Sequence, residues 1–394
     1  MASIFSRLFG AARPEYFLAI DIGSNTALRS LRAELRDGEL RITAKDAFEL
    51  LAREDESALI SAISGELRAL FFRHVRELGR VPSSTLIGLG NHFTVNEMAV
   101  PGQERQRPRE PLRESEIRSL LSQFHRTHAA KTSRGRTYAL VHVMPFRVLI
   151  DGYPVTVLTA ETRGRRLEVA LAATYALDAY WRMLSNLRSF LGGLSLRFMA
   201  NQTAIAAAVV RHLKASDALL VKVGARITEI TLLGDGIVLR TGQFNSGGDG
   251  ISAAIAQRLG ISQTEAERIK RQWDETILPG PSRAAAASAI AQAVGRWRDE
   301  LVGFLHAEER FSLPERVLLL GGGAKLAALG QALAAEPWWR DLTFLDAVSV
   351  QTLDAAAIAA KVFGNTAPRL GGPEEVALAS IAARILHSHN QPQP

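Results

Sequence analysis

The fold is decided by the stretch Asp21-Ile22-Gly23-Ser24-Asn25-Thr26. The apolar residues 16–20 that precede it favour a buried strand, which would end in an acid and a tight turn. An aspartate at such a position can hold Mg²⁺ through water, and the backbone N–H groups of Gly23, Ser24 and Asn25 can surround phosphate oxygens. The same residue types also favour a plain hairpin turn, so this motif alone leaves both interpretations open.

Three more glycine turns follow in order along the chain. Val221-Lys222-Val223-Gly224-Ala225-Arg226 ends a strand of the second half, and Ser246-Gly247-Gly248-Asp249 opens a helix whose N-terminal amides suit an anion. Gly321-Gly322-Gly323 follows an apolar strand, and glycines there let the backbone approach a flat ligand closely. Each turn is weak evidence alone, but together they predict one ligand site. Its candidate residues in these turns are Lys222, Gly224, Ala225, Arg226, Gly247, Gly248, Asp249, Gly321, Gly322 and Gly323.

Glu267 and Lys270 form a further candidate pair in a predicted helix. Residues three apart share one helix face. The carboxylate can bind ribose hydroxyls, while the lysine stem can line an adenine. A solvated ion pair is the competing interpretation, and the spacing alone favours it.

Two halves with a similar plan make up the predicted fold. Each begins with a meander of three strands, at 16–22, 27–35 and 39–44 in the first half and at 218–223, 227–233 and 237–244 in the second, and continues into helices such as 56–78. The first half also contains a βαββ-like insertion. It includes a polar linker at 101–111, a helix for which Ser115 is a plausible N-cap, and a strand at 155–159. Two such halves would form a cleft, and the glycine turns would lie at its edge.

Composition excludes several classes of protein. The 394 residues contain no cysteine, so a disulfide framework and a thiolate metal site are excluded. No run of about 18 apolar residues is present, which argues against a transmembrane helix. The net charge of +7 is spread along the chain, with local concentrations at 105–113 and 163–166 that lack interleaved aromatic residues. We therefore expect no specific nucleic-acid partner.

The set of turns resembles the actin/Hsp70/sugar-kinase superfamily, and within it the branch of FtsA and PilM. Residues 21–26 look like the first phosphate loop, 221–228 like the second, and 321–323 like the adenosine loop, while Glu267 and Lys270 match the pair that faces ribose and base. The resemblance implies ATP and Mg²⁺ as cofactors, with Asp21 holding Mg²⁺ through water. Gln202 falls where these families place a residue that positions the attacking water, so that Asp21 and Gln202 are the candidate catalytic residues.

The insertion is similar to the extra subdomain of FtsA, called 1C and of the SHS2 type. The similar segments are Val141-His142-Val143-Met144-Pro145, Asp151-Gly152 and Leu167-Glu168-Val169. The resemblance implies an α/β, two-lobed actin/Hsp70/ribonuclease H-like fold with an inserted SHS2-type (1C) subdomain. On these segments FtsA is favoured over PilM.

The expected domains follow from this resemblance. They are a flexible or amphipathic N-terminus (1–14), the first lobe or 1A (15–84), the inserted interaction subdomain 1C (85–173), the first lobe continued (174–215), the second lobe 2A (216–250), its helical part 2B (251–310), the second lobe continued (311–365), a closing helix on the first lobe (366–387) and a disordered tail (388–394).

Lys222 departs from the family pattern, which has an acid at this position of the second phosphate loop. That acid helps to organise Mg²⁺ and the lytic water, so we expect no efficient enzyme and at most a weak ATPase. Two alternatives remain open for Lys222 and Arg226: they neutralise a phosphate directly, or they face outward from a degenerate loop.

The leading hypothesis is an FtsA-like, ATP-binding scaffold of bacterial cell division, which self-assembles into filaments and links a tubulin-like division ring to the inner membrane. The alternatives are a PilM-like protein of the type IV pilus inner platform, which would bind pilus inner-membrane proteins, and an exopolyphosphatase-like phosphohydrolase of the same superfamily. We expect a cytoplasmic protein at the inner face of the membrane, attached only peripherally or through a partner.

Overall fold

The computed structural model describes residues 15–23, 27–36, 39–50, 55–133, 135–155, 157–190, 195–273, 278–307, 312–335, 338–340, 342–364 and 370–389. The predicted phosphate-loop residues Ser24 and Asn25 and the N-terminal segment 1–14 lie outside these ranges. The tail predicted at 388–394 begins too early, since the last helix continues to His389.

The first lobe is built on a five-stranded sheet. Its strands are β1 (Glu15–Ile22), β2 (Ala27–Arg36), β3 (Glu39–Glu49), β4 (Ser84–Leu89) and β11 (Leu196–Ala200), in the order β11-β4-β1-β2-β3. β1 pairs antiparallel with β2 and parallel with β4, and it is buried from Phe17 to Ile22. A central strand covered on both faces needs a continuous apolar run, and the chain has that run before Asp21.

Helices cover this sheet on both faces. They are α1 (Glu56–Leu78), α3 (Asp178–Phe190), α4 (Asn201–Leu213), α9 (Ala355–Val362) and α10 (Val376–His389). α1 begins where the Asp55 carboxylate accepts the N–H of Ala58 at 2.8 Å, and it ends at Gly79, whose φ of 64° is left-handed. α10 returns from the end of the chain to pack on β1, β4 and α4.

The insertion is a separate sheet with one helix. It contains β5 (Thr94–Ala99), β6 (Gly102–Glu104), α2 (Glu114–Thr127), β7 (Ala130–Ser133), β8 (Arg136–Ile150), β9 (Tyr153–Val155) and β10 (Arg166–Leu177). The order is β5-β10-β8-β7, and β6 and β9 pair with β10 and β8 respectively. Its own apolar core lies between this sheet and α2.

Four sequence expectations about the insertion are wrong in detail. Its boundary is later than residue 85, because β4 pairs with β1 and β11 in the first-lobe sheet. The predicted linker 101–111 contains β6, and the strand predicted at 155–159 is instead β9 at Tyr153–Val155. Arg113, not Ser115, is the N-cap of α2, because the Glu116 side chain binds the N–H of Arg113 at 3.1 Å.

The second lobe repeats the plan of the first. Its strands are β12 (Ala218–Val223), β13 (Thr228–Gly234), β14 (Ile237–Phe244), β15 (Arg316–Leu320) and β16 (Ser349–Thr352), in the order β14-β13-β12-β15-β16. Its helices are α5 (Gly248–Leu259), α6 (Gln263–Arg271), α7 (Gly280–His306) and α8 (Ala327–Ala334). No helix in the described ranges is both long and apolar enough to cross a membrane.

A substitution at Gly88 tests how closely α4 and α10 approach the first-lobe sheet. A Cβ at Gly88 of β4 would lie 2.1 Å from Asn201 Oδ1 and 2.2 Å from Ile381 Cδ1, so Gly88→Ala would push α4 and α10 off the sheet. We expect a loss of about 1–3 kcal/mol in the free energy of unfolding, measured by urea denaturation. Gly65→Ala on α1 is the control, because a Cβ there meets nothing within 4 Å and alanine should stabilise the helix by up to about 1 kcal/mol. Equal effects of the two changes would contradict this packing.

Candidate functional site

The second and third glycine turns pack directly on each other. The N–H groups of Gly248 and Asp249, at the start of α5, donate to the carbonyls of Gly224 and Ala225 at 2.9 and 2.7 Å. A Cβ at Gly247 would lie 2.6 Å from the oxygen of Gly224, which explains the glycine. The sequence predicts that these helix N-terminal amides suit an anion. In the structure they donate instead to the carbonyls of the neighbouring turn.

The fourth turn lies against the same loop. β12 and β15 are parallel neighbours, so their carboxyl ends meet at one edge of the sheet. Gly321 has a φ of 88°, and a Cβ on it would lie 2.5 Å from the carbonyl oxygen of Val223. A Cβ on Gly323 would lie 2.4 Å from Val223 Cγ1, while Gly322 faces open space. Turns two, three and four thus come together around residues 223–225.

Asp21 of the first turn lies at the end of β1 and is buried. Its carboxylate accepts the side-chain N–H of Asn201 at 2.7 Å and lies 3.8 Å from the Arg29 guanidinium. Burial raises the pKa of Asp21 above its usual value, although Lys222, Arg29 and Asn201 act to lower it. Gly23 after it donates to Ala27 at 3.0 Å, as a hairpin requires.

Lys222 lies in the interior, facing the first lobe. Its ammonium is 2.5 Å from the Glu229 carboxylate, and the two side chains are only 13% and 1% exposed. Burial acts to lower the pKa of Lys222, but the charges of Glu229 and Asp21 outweigh it and raise that pKa above its ordinary value. Lys222 thus does not face outward, which was one of the two alternatives that the sequence left open, and its ammonium is paired with Glu229.

Glu229 is the residue of this site that sequence reasoning missed. Besides Lys222, its carboxylate accepts the backbone N–H of Asn91, in the loop between β4 and β5, at 3.1 Å. The bond joins the second-lobe sheet to the first lobe. The available signal was an acid inside the otherwise uncharged strand Thr228–Gly234, since charged residues are rarely buried unless paired.

Gln202, at the start of α4, is also buried. Its amide oxygen accepts a hydrogen bond from Asn96 at 2.9 Å, and its amide nitrogen donates to the carbonyls of Ile230 and Gly242 at 3.2 and 3.4 Å. To position a water, as the resemblance implies, this side chain would have to give up bonds that join the lobes.

Glu267 and Lys270 lie beside the third turn. The Lys270 ammonium donates to the carbonyl of Gly248 at 2.8 Å and to Glu267 at 2.6 Å. Glu267 also accepts from Ser252 at 2.5 Å and from Arg271 at 2.8 Å. Burial acts to raise the pKa of Glu267, but these partners outweigh it and lower that pKa. The structure thus places Glu267 and Lys270 at the site, where Lys270 is hydrogen-bonded to the backbone of α5.

Arg226 lies on the outer side of the second turn. Its guanidinium is 3.5 Å from the Asp249 carboxylate, and both side chains are about two-fifths exposed, at 39% and 42%. The pair is a solvated link between the second and third turns, and such links contribute little stability.

The residues around Asp21 do not fit a magnesium ion. Mg²⁺ that is bound with a nucleotide keeps several waters and takes one or two protein carboxylates, so the carboxylate of Asp21 would have to be available to it. Asp21 is engaged by Asn201, and the cations of Arg29 and Lys222 act on it. Arg29 and Lys222 already neutralise Asp21 and Glu229, so a divalent cation there would add uncompensated positive charge.

A small cavity of about 10 Å³ lies between the lobes at this place, with room for about one water. The residues that line it are Gln202, Ile205, Leu220, Lys222, Glu229, Thr231 and Leu320. The cleft between Lys222 and the first lobe is therefore closed in this structure.

Comparison with known proteins defines the fold. No protein-family model matches the sequence, and no curated protein matches it. The structure of the PilM-PilN type IV pilus biogenesis complex is similar over 95% of this chain and 98% of that chain, with a TM-score of 0.63 and 18% identity. The structure of ethanolamine utilization protein EutJ from Carboxydothermus hydrogenoformans is similar over 95% of this chain and 91% of that chain, with a TM-score of 0.49 and 14% identity.

The predicted fold class is confirmed: the chain has the two-lobed α/β fold of actin-like ATPases, with an inserted subdomain. The SHS2 type of the insertion and the FtsA branch stay predictions.

Gly321→Ala tests the packing of the fourth turn. We expect it to cost about 1–3 kcal/mol of unfolding free energy, because the residue has a positive φ and a Cβ would press on Val223. Gly322→Ala is the adjacent control and should stay within about 0.5 kcal/mol, since a Cβ there meets nothing within 4 Å. Urea denaturation followed by circular dichroism measures both. If the two variants are equally stable, the turn does not contact Val223 in solution.

Proposed function

We propose that this chain is an actin-like scaffold of the PilM kind, acting in type IV pilus assembly, with weak or no ATP hydrolysis. The observation that carries the proposal is the similarity to the PilM-PilN complex, which extends over nearly the full length of both chains. It supports the PilM-like alternative of the sequence analysis more than the FtsA-like hypothesis.

The chemistry of the cleft supports a scaffold more than a turnover enzyme. Lys222 stands where the family has an acid, and it is paired with Glu229. The amide of Gln202 is bound to Asn96 and to second-lobe carbonyls. Phosphoryl transfer depends on a positioned water and on stabilisation of the developing charge, and these two side chains offer neither.

We place the nucleotide between the lobes, with the phosphates near residues 21–23 and 222–224 and the adenosine near Lys270 and 321–323. The geometric support is that turns two, three and four converge on residues 223–225. The cavity beside Lys222 holds about one water, so a phosphate group that reaches Lys222 would need the lobes to separate there. Closure on the ligand would then bias self-association into filaments.

The partners in this proposal are further copies of the chain and a pilus inner-membrane protein that plays the role of PilN. The chain would work in the cytoplasm at the inner face of the membrane, held there by that partner. Neither a nucleic acid nor a direct membrane anchor is part of the proposal.

Asp21→Ala and Lys270→Ala test the nucleotide site. Lys270→Ala should weaken ATP binding at least about tenfold in isothermal titration calorimetry, because it removes a cation of the site, whereas Asp21→Ala should strengthen binding, because it removes a carboxylate that repels phosphates without a metal ion. Lys131→Ala in the insertion, which pairs with Glu97 at 2.8 Å, is the control and should bind like the wild type. Unchanged ATP affinity in both cleft variants would contradict the proposed nucleotide site.

Affinity capture from the native cell tests the biological role. We expect a pilus inner-membrane protein to be recovered with the tagged chain, and recovery of a tubulin-like division protein would instead favour the FtsA-like hypothesis. Phosphate release from ATP or polyphosphate above about 1 s⁻¹ would favour the phosphohydrolase and contradict the scaffold.

A further inference from the structure

The boundary between the lobes contains an unusual group of buried charges. Asp21 and Glu229 are each 2% exposed, and they come from β1 of the first lobe and β13 of the second. Lys222 lies 2.5 Å from Glu229, and Arg29 lies 3.8 Å from Asp21. Two carboxylates and two cations balance, so the group carries no excess charge that a metal ion would have to neutralise.

This group is connected across the boundary. The Asn91 N–H of the first lobe donates to Glu229 at 3.1 Å, while Gln202 of α4 donates to the Ile230 carbonyl on the same second-lobe strand at 3.2 Å. On another side of the cleft, Arg271 of α6 lies 3.1 Å from Glu49 of β3. The closed arrangement is thus held by bonds that the chain supplies itself.

We infer that the Lys222 ammonium takes the place of a divalent cation, and that it holds Glu229, its cross-strand neighbour in the second lobe, in place to bind the Asn91 N–H and so to close the lobes without Mg²⁺ and without nucleotide. The inference rests on the proposed position of the site between the lobes, and it implies that ATP, where bound, is bound in its metal-free form. A buried ammonium can replace a cation here because it supplies a compact charge and three N–H donors to the facing oxygens.

The first test uses the wild-type protein and magnesium chloride alone. The thermal unfolding midpoint should agree within about 1 °C in EDTA and in millimolar Mg²⁺, because a ligand that does not bind the native state cannot raise it. ATP affinity by calorimetry should likewise be the same in EDTA and in Mg²⁺. A midpoint raised by several degrees, or an affinity that falls tenfold in EDTA, overturns the inference.

Lys222→Asp provides the converse test. It would set a third carboxylate beside Asp21 and Glu229, the kind of oxygen-rich group that a hard cation prefers. We expect a less stable protein in EDTA whose unfolding midpoint rises by several degrees when Mg²⁺ is added. A Lys222→Asp variant that folds and shows no response to Mg²⁺ argues against a cation position at this place.

A double variant without either charge distinguishes an effect on the lobes from a simple failure to fold. The double variant Lys222→Met/Glu229→Gln removes both charges together, so no unpaired charge is left in the interior. We expect it to fold and to be cleaved at least about tenfold faster in limited proteolysis, because the Asn91 N–H loses its charged acceptor and the lobes open more often. The control Lys131→Met/Glu97→Gln makes the same chemical change in the insertion and should be cleaved at the wild-type rate.

The outcomes separate the two proposals. ATP binding only with Mg²⁺ overturns the inference and leaves the nucleotide site in place. No ATP binding under either condition removes the nucleotide from the proposed function, while the proteolysis of the double variant still decides whether Lys222 and Glu229 close the lobes.

Discussion

The closed arrangement of the lobes depends on a buried ion pair within the second lobe, because Lys222 on β12 compensates the charge of Glu229 on β13, and Glu229 binds the first lobe. Removing a lysine and a glutamate from water costs several kcal/mol for each ion, and only close pairing with further hydrogen bonds compensates. Lys222 and Glu229 meet this condition at 2.5 Å, with the Asn91 N–H as an additional donor. Loss of one partner would leave an unpaired buried charge and cost about 3–5 kcal/mol. Opening the cleft would break the bond to Asn91.

The other polar groups of the cleft also have hydrogen-bond partners within the chain. Gln202 uses both ends of its amide, Glu267 accepts from three side chains, and the amides of Gly248 and Asp249 bind the second turn. Fully connected polar networks rigidify a structure, whereas catalytic groups are poised to bind atoms that the protein does not supply. The same arrangement explains why these polar residues and glycines occur here: they fit the turns to one another.

The parts of the fold that the sequence predicts well are those set by local patterns. Helix α1 and strands β12 and β14 have the predicted bounds, because long apolar periodicity or apolar runs end at turn residues. Strands β5, β6, β7 and β9 are missed or misplaced, since none of them has a long apolar run and each depends on the neighbours with which it pairs. The sequence predicts the glycine turns but not the part played by Glu229. That part depends on Lys222 and on Asn91, which lies 138 residues away from Glu229 along the chain.

The insertion is joined to this closed boundary and not only to the first lobe. Thr241 of β14 donates to the carbonyl of Asn96 on β5 at 3.5 Å, and Arg147 of β8 donates to the carbonyl of Asp235 at the tip of the β13–β14 hairpin. Asn96 in turn donates to Gln202, and thus belongs to the network between the lobes. A protein that binds the insertion and shifts β5 therefore acts on the same bonds that hold the lobes together. If closure needs no ligand, the contacts of the insertion are the place where a partner can still change the angle between the lobes, and with it the geometry of any assembly.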